Sequence, residues 1–304
     1  MDQPSNPQSA ANTPAGSPVL PDAAPEPQEP AVIRRKDYAP FAWRVPAIRL
    51  DFDLGIETTR VEATLTVEPN PDADAAEDIR LDGDGLVLES VHVDGEERTD
   101  WRRDGEALVV PLGTGEHTLT IVTRILPSEN TQLMGLYASN GMLCTQCEAE
   151  GFRRITFFPD RPDVLSVYTV RMEADRKAFP ILLSNGNPVE EGLLQDGRHF
   201  AEWHDPWPKP SYLFALVAGD LVARTDSFTT MGGREVALSV WVREEDLPRT
   251  EHAMESIKRS MKWDEETFGR EYDLDRFNIV AVGDFNMGAM ENKGLNIFNT
   301  KYVL

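Results

Sequence analysis

Two stretches carry the residue types in this sequence best suited to chemistry. One is Cys144-Thr145-Gln146-Cys147-Glu148-Ala149-Glu150-Gly151-Phe152, and the other is Phe285-Asn286-Met287-Gly288-Ala289-Met290-Glu291-Asn292-Lys293-Gly294. The first sets two glutamates beside Ala149 and Gly151, and the second holds one, Glu291, shortly after Gly288 and Ala289. A carboxylate is the strongest side-chain partner for an ammonium group in a partly desolvated pocket. It is also the commonest surface charge, and Glu148 and Glu150 taken by themselves read as that. The pair Cys144-x-x-Cys147 has the spacing of a redox or a zinc motif. A structural zinc needs four ligands, and the five histidines, His92, His117, His199, His204 and His252, stand at no matching spacing. A redox pair opens a helix after a strand in a βαβ unit, whereas this pair lies in strand-rich sequence. Neither role is expected.

The elements that must position these stretches are legible in the hydrophobic pattern. Val61, Ala63, Leu65 and Val67 alternate with Arg60, Glu62, Thr64 and Thr66, the period of a half-buried strand. Similar runs follow at 86–93, 107–112 and 117–125, separated by turn signals such as Asp94-Gly95 and Asp104-Gly105. That spacing predicts an antiparallel sandwich or open barrel. Further strands are predicted at 168–173, 179–184 and 212–220. The Pro-rich run at 204–210 is predicted to interrupt them, because proline cannot donate to a sheet ladder. A hairpin is predicted around Gly232-Gly233, with strands at 227–231 and 235–242. A helix follows with Met254, Ile257, Met261 and Phe268 on one face and Gly269 as its stop, and then a buried strand at 277–282.

Composition bounds the function class. With 52 acidic against 30 basic residues the net charge is −22, which argues against nucleic acid and anionic membrane surfaces as partners. An acidic balance suits a site that attracts a cation, though solubility alone accounts for it. Residues 1–32, rich in Pro, Ala, Ser, Gln and Asn, read as a disordered tail. No apolar run is long enough for a transmembrane helix, and no signal peptide opens the chain. Two cysteines are too few for a disulfide-stapled domain. The expected setting is the cytoplasm.

Gly288-Ala289-Met290-Glu291-Asn292 resembles the exopeptidase motif of the zinc aminopeptidases of the aminopeptidase N family, within the gluzincin metallopeptidases, and Lys293-Gly294-Leu295-Asn296 resembles its bacterial branch. The stretch 144–152 resembles that branch too, as do 160–165, 203–210 and 214–220, in the expected order. The likeness runs from about Tyr38 to Leu304. It implies a mainly β fold with a partial α+β portion: an antiparallel β-sandwich-like N-terminal domain at 33–220, then the first part of a thermolysin-like catalytic domain at 221–304.

The resemblance also implies roles. Glu291 would be the principal anchor for a peptide's free α-amine and Glu148 the second. Gln146 would line the first side-chain pocket, with Met287 as its adaptable floor. Gly288 and Ala289 would offer backbone hydrogen bonds to an extended substrate, with Met290 and Asn292 completing the motif. The expected partners are peptides with a free N-terminal amine. Zinc would be the cofactor of the complete enzyme, bound by a His-Glu-x-x-His helix and a further Glu. No such motif occurs here, and Glu251-His252 lacks the following ligand. The chain is therefore expected to be an N-terminal fragment that holds the amine-recognition residues, binds no zinc and is inactive by itself. The alternative is a non-catalytic scaffold that keeps the aminopeptidase architecture.

Overall fold

The computed structural model describes residues 34–304. The disordered tail expected at 1–32 lies outside the described residues. By its contacts the chain divides between Tyr38 and Ala39. Of the first unit only 34–38 are described, with a 3-10 turn at Arg35–Asp37. The second unit, Ala39–Leu304, carries everything that follows.

Its largest sheet has eight strands, in the order Asn187–Leu193, Arg198–Lys209, Ser166–Asp175, Trp43–Asp53, Thr59–Pro69, His117–Ile125, Val87–Val93 and Glu96–Glu97. Every pairing is antiparallel except the one that sets Trp43–Asp53 beside Ser166–Asp175 in parallel. The alternation read in the sequence is the cause: Val61, Ala63, Leu65 and Val67 are fully buried, while the residues between them are half-buried or exposed. A four-stranded sheet follows, in the order Ile181–Ser184, Leu216–Gly219, Met142–Gln146 and Gly135–Ser139. A smaller sheet of three strands completes the β-rich portion.

A five-stranded mixed sheet comes next, in the order Val222–Thr229, Glu235–Val242, Arg276–Val282, Leu295–Asn299 and Ala289–Met290. Its central strand is buried on both faces, and period two sorts its residues. Ile279 and Ala281 pack with Met254, Ile257 and Met261 of the helix Glu251–Phe268, whereas Val280 and Val282 join the core shared with the preceding sheets. That is why 277–282 reads as one apolar run and not as an alternation. Phe285, Met290, Leu295 and Ile297 enter the same shared core. Each such side chain contributes roughly 1.5–3 kcal/mol when fully buried.

Two expectations need correction. The Pro-rich run does not interrupt the sheet, since the strand Arg198–Lys209 continues through it. The partner strand Asn187–Leu193 reaches only as far as His204. Pro206 and Pro208 therefore lie where one side of the strand is open, and no ladder donor is missed. The strand expected at 212–220 is only Leu216–Gly219, because a 3-10 turn at Ser211–Leu213 follows Pro210. Phe268 lies on the expected helix face, lining one groove with Ile257 and Met261, but it is 63% exposed and meets Trp263 edge to face. It is the last helical residue, followed by Gly269 in the left-handed conformation at φ 63°.

The turn at Asn185-Gly186 bears on the site. Gly186 has φ +85°, and a Cβ there would lie 2.2 Å from the carbonyl oxygen of His204 and 2.6 Å from the Cα of Asp205. Both obstacles are backbone and cannot swing aside. Gly186→Ala should lower stability by about 2 kcal/mol through strain and overpacking together. Urea unfolding of the variant against the parent checks this, and an unchanged midpoint would mean that the turn has room to move.

Candidate functional site

Gln146 ends the strand Met142–Gln146 and is 1% exposed. Its Nε2 donates to the carbonyl oxygen of Glu148 at 3.3 Å, while its Oε1 is buried without a partner. Glu148 lies two residues on, half-buried, at a cis peptide bond to Ala149. Its carboxylate has no hydrogen-bond or ion-pair partner among the described residues. Glu150 differs: it is exposed and pairs with Arg153 at 3.2 Å. Cys144 and Cys147 are fully buried free thiols. Burial pushes Cys144 up to about 12, the Tyr137 hydroxyl offsetting part of that, and pushes Cys147 well above its ordinary value. Thiols held protonated in this way act as packing residues.

The second stretch is built on alternation. Ala289 and Glu291 are exposed, while Met290 and Asn292 are each 1% exposed. Met290 is a core residue facing away from Glu291, and Asn292 donates from Nδ2 to the carbonyl oxygen of Phe214 at 3.3 Å. These two anchor the segment so that Glu291 stands clear. The Glu291 carboxylate likewise has no partner among the described residues. Ala289–Met290 pairs with Ile297 and Phe298 on one side only, so its other edge offers free backbone groups. Gly288 accepts from the Asn299 backbone N–H at 2.9 Å, and a Cβ on it would lie 3.3 Å from the Tyr302 ring. Met287 is 37% exposed, free to adapt.

Two neighbouring strands bring the stretches together. Gly135–Ser139 pairs with Met142–Gln146, setting Gly135 against Gln146. The Tyr137 hydroxyl donates to the carbonyl oxygen of Asp284 at 2.8 Å, and the Asp284 carboxylate accepts from Ser139 Oγ at 2.8 Å and Asn140 Nδ2 at 3.0 Å. Asn286 Nδ2 donates to the carbonyl oxygen of Gln132 at 2.9 Å. Sequence reasoning missed Asp284, Ser139 and Asn140. No local signal marks them, since each gains its role from a partner far along the chain. A separate groove of about 880 Å³, lined by Ile257, Met261, Phe298 and Tyr302 among others, contains none of Gln146, Glu148 or Glu291.

Among the described residues, no three His, Cys, Asp or Glu side chains converge as a metal site requires. The donor set for a catalytic zinc is not offered by these residues. What they can do is hold a cation and an extended backbone.

The sheets of the β-rich portion pass to a mixed sheet, and Glu148 and Glu291 have no side-chain partner among the described residues. The sequence profile of the Peptidase M1 N-terminal domain matches residues 39–213, and that of the Peptidase family M1 domain matches 252–304. The chain belongs to the M1 peptidase family. Aminopeptidase N of Caulobacter vibrioides is 56% identical over 277 residues, 90% of this chain and 32% of that protein. Aminopeptidase N of Escherichia coli is 52% identical over 91% of this chain and 32% of its own length. The crystal structure of Legionella pneumophila aminopeptidase A in complex with aspartic acid superposes with a TM-score of 0.83 at 35% identity, covering 88% of this chain and 32% of that one. The chain spans about a third of the length of the curated relatives it matches. No helix among the described residues is long and apolar enough to cross a membrane.

Proposed function

We propose that this chain supplies the amine-recognition part of a zinc-dependent aminopeptidase, with Glu291 as the principal anchor and Glu148 as the second for a peptide's free α-ammonium. One observation carries the reading. Among the described residues Glu148 and Glu291 stand without a partner, while Glu150 and Asp284 are engaged by Arg153 and by Ser139 and Asn140. A carboxylate without a protein partner, half-buried at Glu148 and exposed at Glu291, is open to a cationic hydrogen-bond donor. An interior peptide bond brings no ammonium, so this grip confines cleavage to the first residue. Gln146 and Met287 border the first side-chain pocket, and the open edge at Gly288 and Ala289 takes the extended backbone. The family implies zinc in the complete enzyme, held by residues other than those described. We place the domain boundary at 220/221, supported by Val222 opening the five-stranded sheet, and the protein in the cytoplasm, supported by two buried free thiols.

The test joins this chain to the remaining two thirds of its Caulobacter vibrioides relative. The joined enzyme should hydrolyse alanine p-nitroanilide and free-amine dipeptides, and leave the same compounds untouched once N-acetylated. Equal hydrolysis of free and acetylated substrates would overturn amine recognition, and a folded, zinc-loaded enzyme with no hydrolysis would favour a scaffold.

A further inference from the structure

The carboxylates of Glu148 and Glu291 arrive from stretches far apart in the sequence, and something must fix the gap between them. We propose that Asn185 and Thr145 are positioning residues that set this spacing, an inference that rests on the amine-recognition reading above. Asn185 is 1% exposed, and one side-chain amide ties three backbone groups together. Its Nδ2 donates to the carbonyl oxygens of Leu213 at 3.1 Å and Lys293 at 2.9 Å, while its Oδ1 accepts from the Ala215 N–H at 2.7 Å. Asn292 adds a second tie to the same segment through the carbonyl oxygen of Phe214. The segment then passes to Leu216, whose N–H donates to Thr145 Oγ1 at 2.9 Å, with the hydroxyl returning a bond to the Leu216 carbonyl at 3.4 Å. Thr145 is 1% exposed and precedes Gln146, which holds the carbonyl oxygen of Glu148.

The path from Glu148 to Glu291 thus runs through covalent neighbours and buried or partly buried hydrogen bonds. Only an uncharged amide can donate twice and accept once at position 185. Aspartate would set a charge against two carbonyl oxygens, and leucine would strand three backbone groups. Buried backbone groups held in this way allow few alternative arrangements, which suits a gauge between two charges. Spacing matters because a misplacement of about 1 Å can cost roughly a hundredfold in rate.

The spacing is measurable on the chain itself. Ala149→Cys and Ala289→Cys, both at exposed positions, take spin labels, while Cys144 and Cys147 are buried. The parent should give one narrow distance distribution, and Asn185→Leu or Thr145→Val should broaden or shift it. Thr145→Val keeps the side-chain shape and carries the test if Asn185→Leu fails to fold. An unchanged distribution in a folded variant overturns the proposal. In the joined enzyme, Thr145→Val should lower kcat/KM on free-amine dipeptides about tenfold or more, chiefly through KM, and cost little once Glu291→Ala is present. Equal losses in both backgrounds would show a fold-wide effect and overturn it too. A joined enzyme that ignores the free amine sinks the amine-recognition reading instead, and the label distances then decide the spacing alone.

Discussion

Glu291→Ala in the joined enzyme should cost about one and a half to four decades of kcat/KM on free-amine substrates, with zinc content unchanged. The size follows from removing a charge-assisted contact to a desolvated ammonium, roughly 2–5 kcal/mol in transition-state binding. Glu291 is exposed and bonded to no other residue described, so the fold loses little with it. Stability measured by urea unfolding should stay within about 0.5 kcal/mol of the parent, as for surface substitutions away from special features. Zinc analysis, urea unfolding and steady-state kinetics on one preparation separate the outcomes. Loss of zinc along with activity would show that Glu291 serves the metal, and an undiminished kcat/KM would remove it from the site.

A second large effect lies in the Pro-rich run. Lys209 and Asp205 are 3% and 0% exposed, their Nζ and Oδ2 atoms 3.1 Å apart. The ammonium also sits 3.8 Å from the centre of the Tyr168 ring. Asp205 Oδ1 accepts from the Trp207 backbone N–H at 3.2 Å. Lys209→Met would leave a buried carboxylate without its counter-charge, and should cost about 3–5 kcal/mol. Asp205→Asn combined with Lys209→Met should recover most of that loss, because the charge is then gone from both sides. Urea unfolding of the three proteins checks the pattern, and a double variant no better than the single one would refute it.

The same lysine has a pH signature. Burial depresses Lys209 from 10.5 to about 8, against the pull of Asp205. Its folded value is therefore below its unfolded value. Between the two, the unfolded chain holds a proton that the folded chain has released, so this group's contribution to stability rises with pH from about 8 to about 10.5. Below 8 the full penalty of keeping the charge buried applies. The parent should gain on the double variant by no more than about 3 kcal/mol across that window. A relative loss of parent stability there would reverse the sign and show that the ion pair outweighs desolvation.

Much of the architecture is local information. Period two at 61–67 and period 3.6 at 254–261 state which faces are apolar, and those faces are the buried ones. Gly269 marks the end of its helix because only a residue without a side chain enters the left-handed conformation freely. The alternation through 289–292 is also local, and it divides Ala289 and Glu291 from Met290 and Asn292. The identity of the candidate site residues came from motif resemblance, which composition and periodicity could not supply.

Tertiary structure decided the rest. Whether 204–210 could be strand depended on where the neighbouring strand ends, at His204, a fact held by residues 187–193 and not by the prolines. Phe268 keeps its expected face yet stays exposed, because burial depends on what faces the last turn of the helix. Above all, the segments that carry Glu148 and Glu291 are tied into the fold by Asn185, Thr145 and Asp284, each through bonds to backbone or side chains distant in sequence. Such contacts leave no periodic trace, since a hydrogen bond between remote residues constrains geometry at its two ends and nothing in the chain between them.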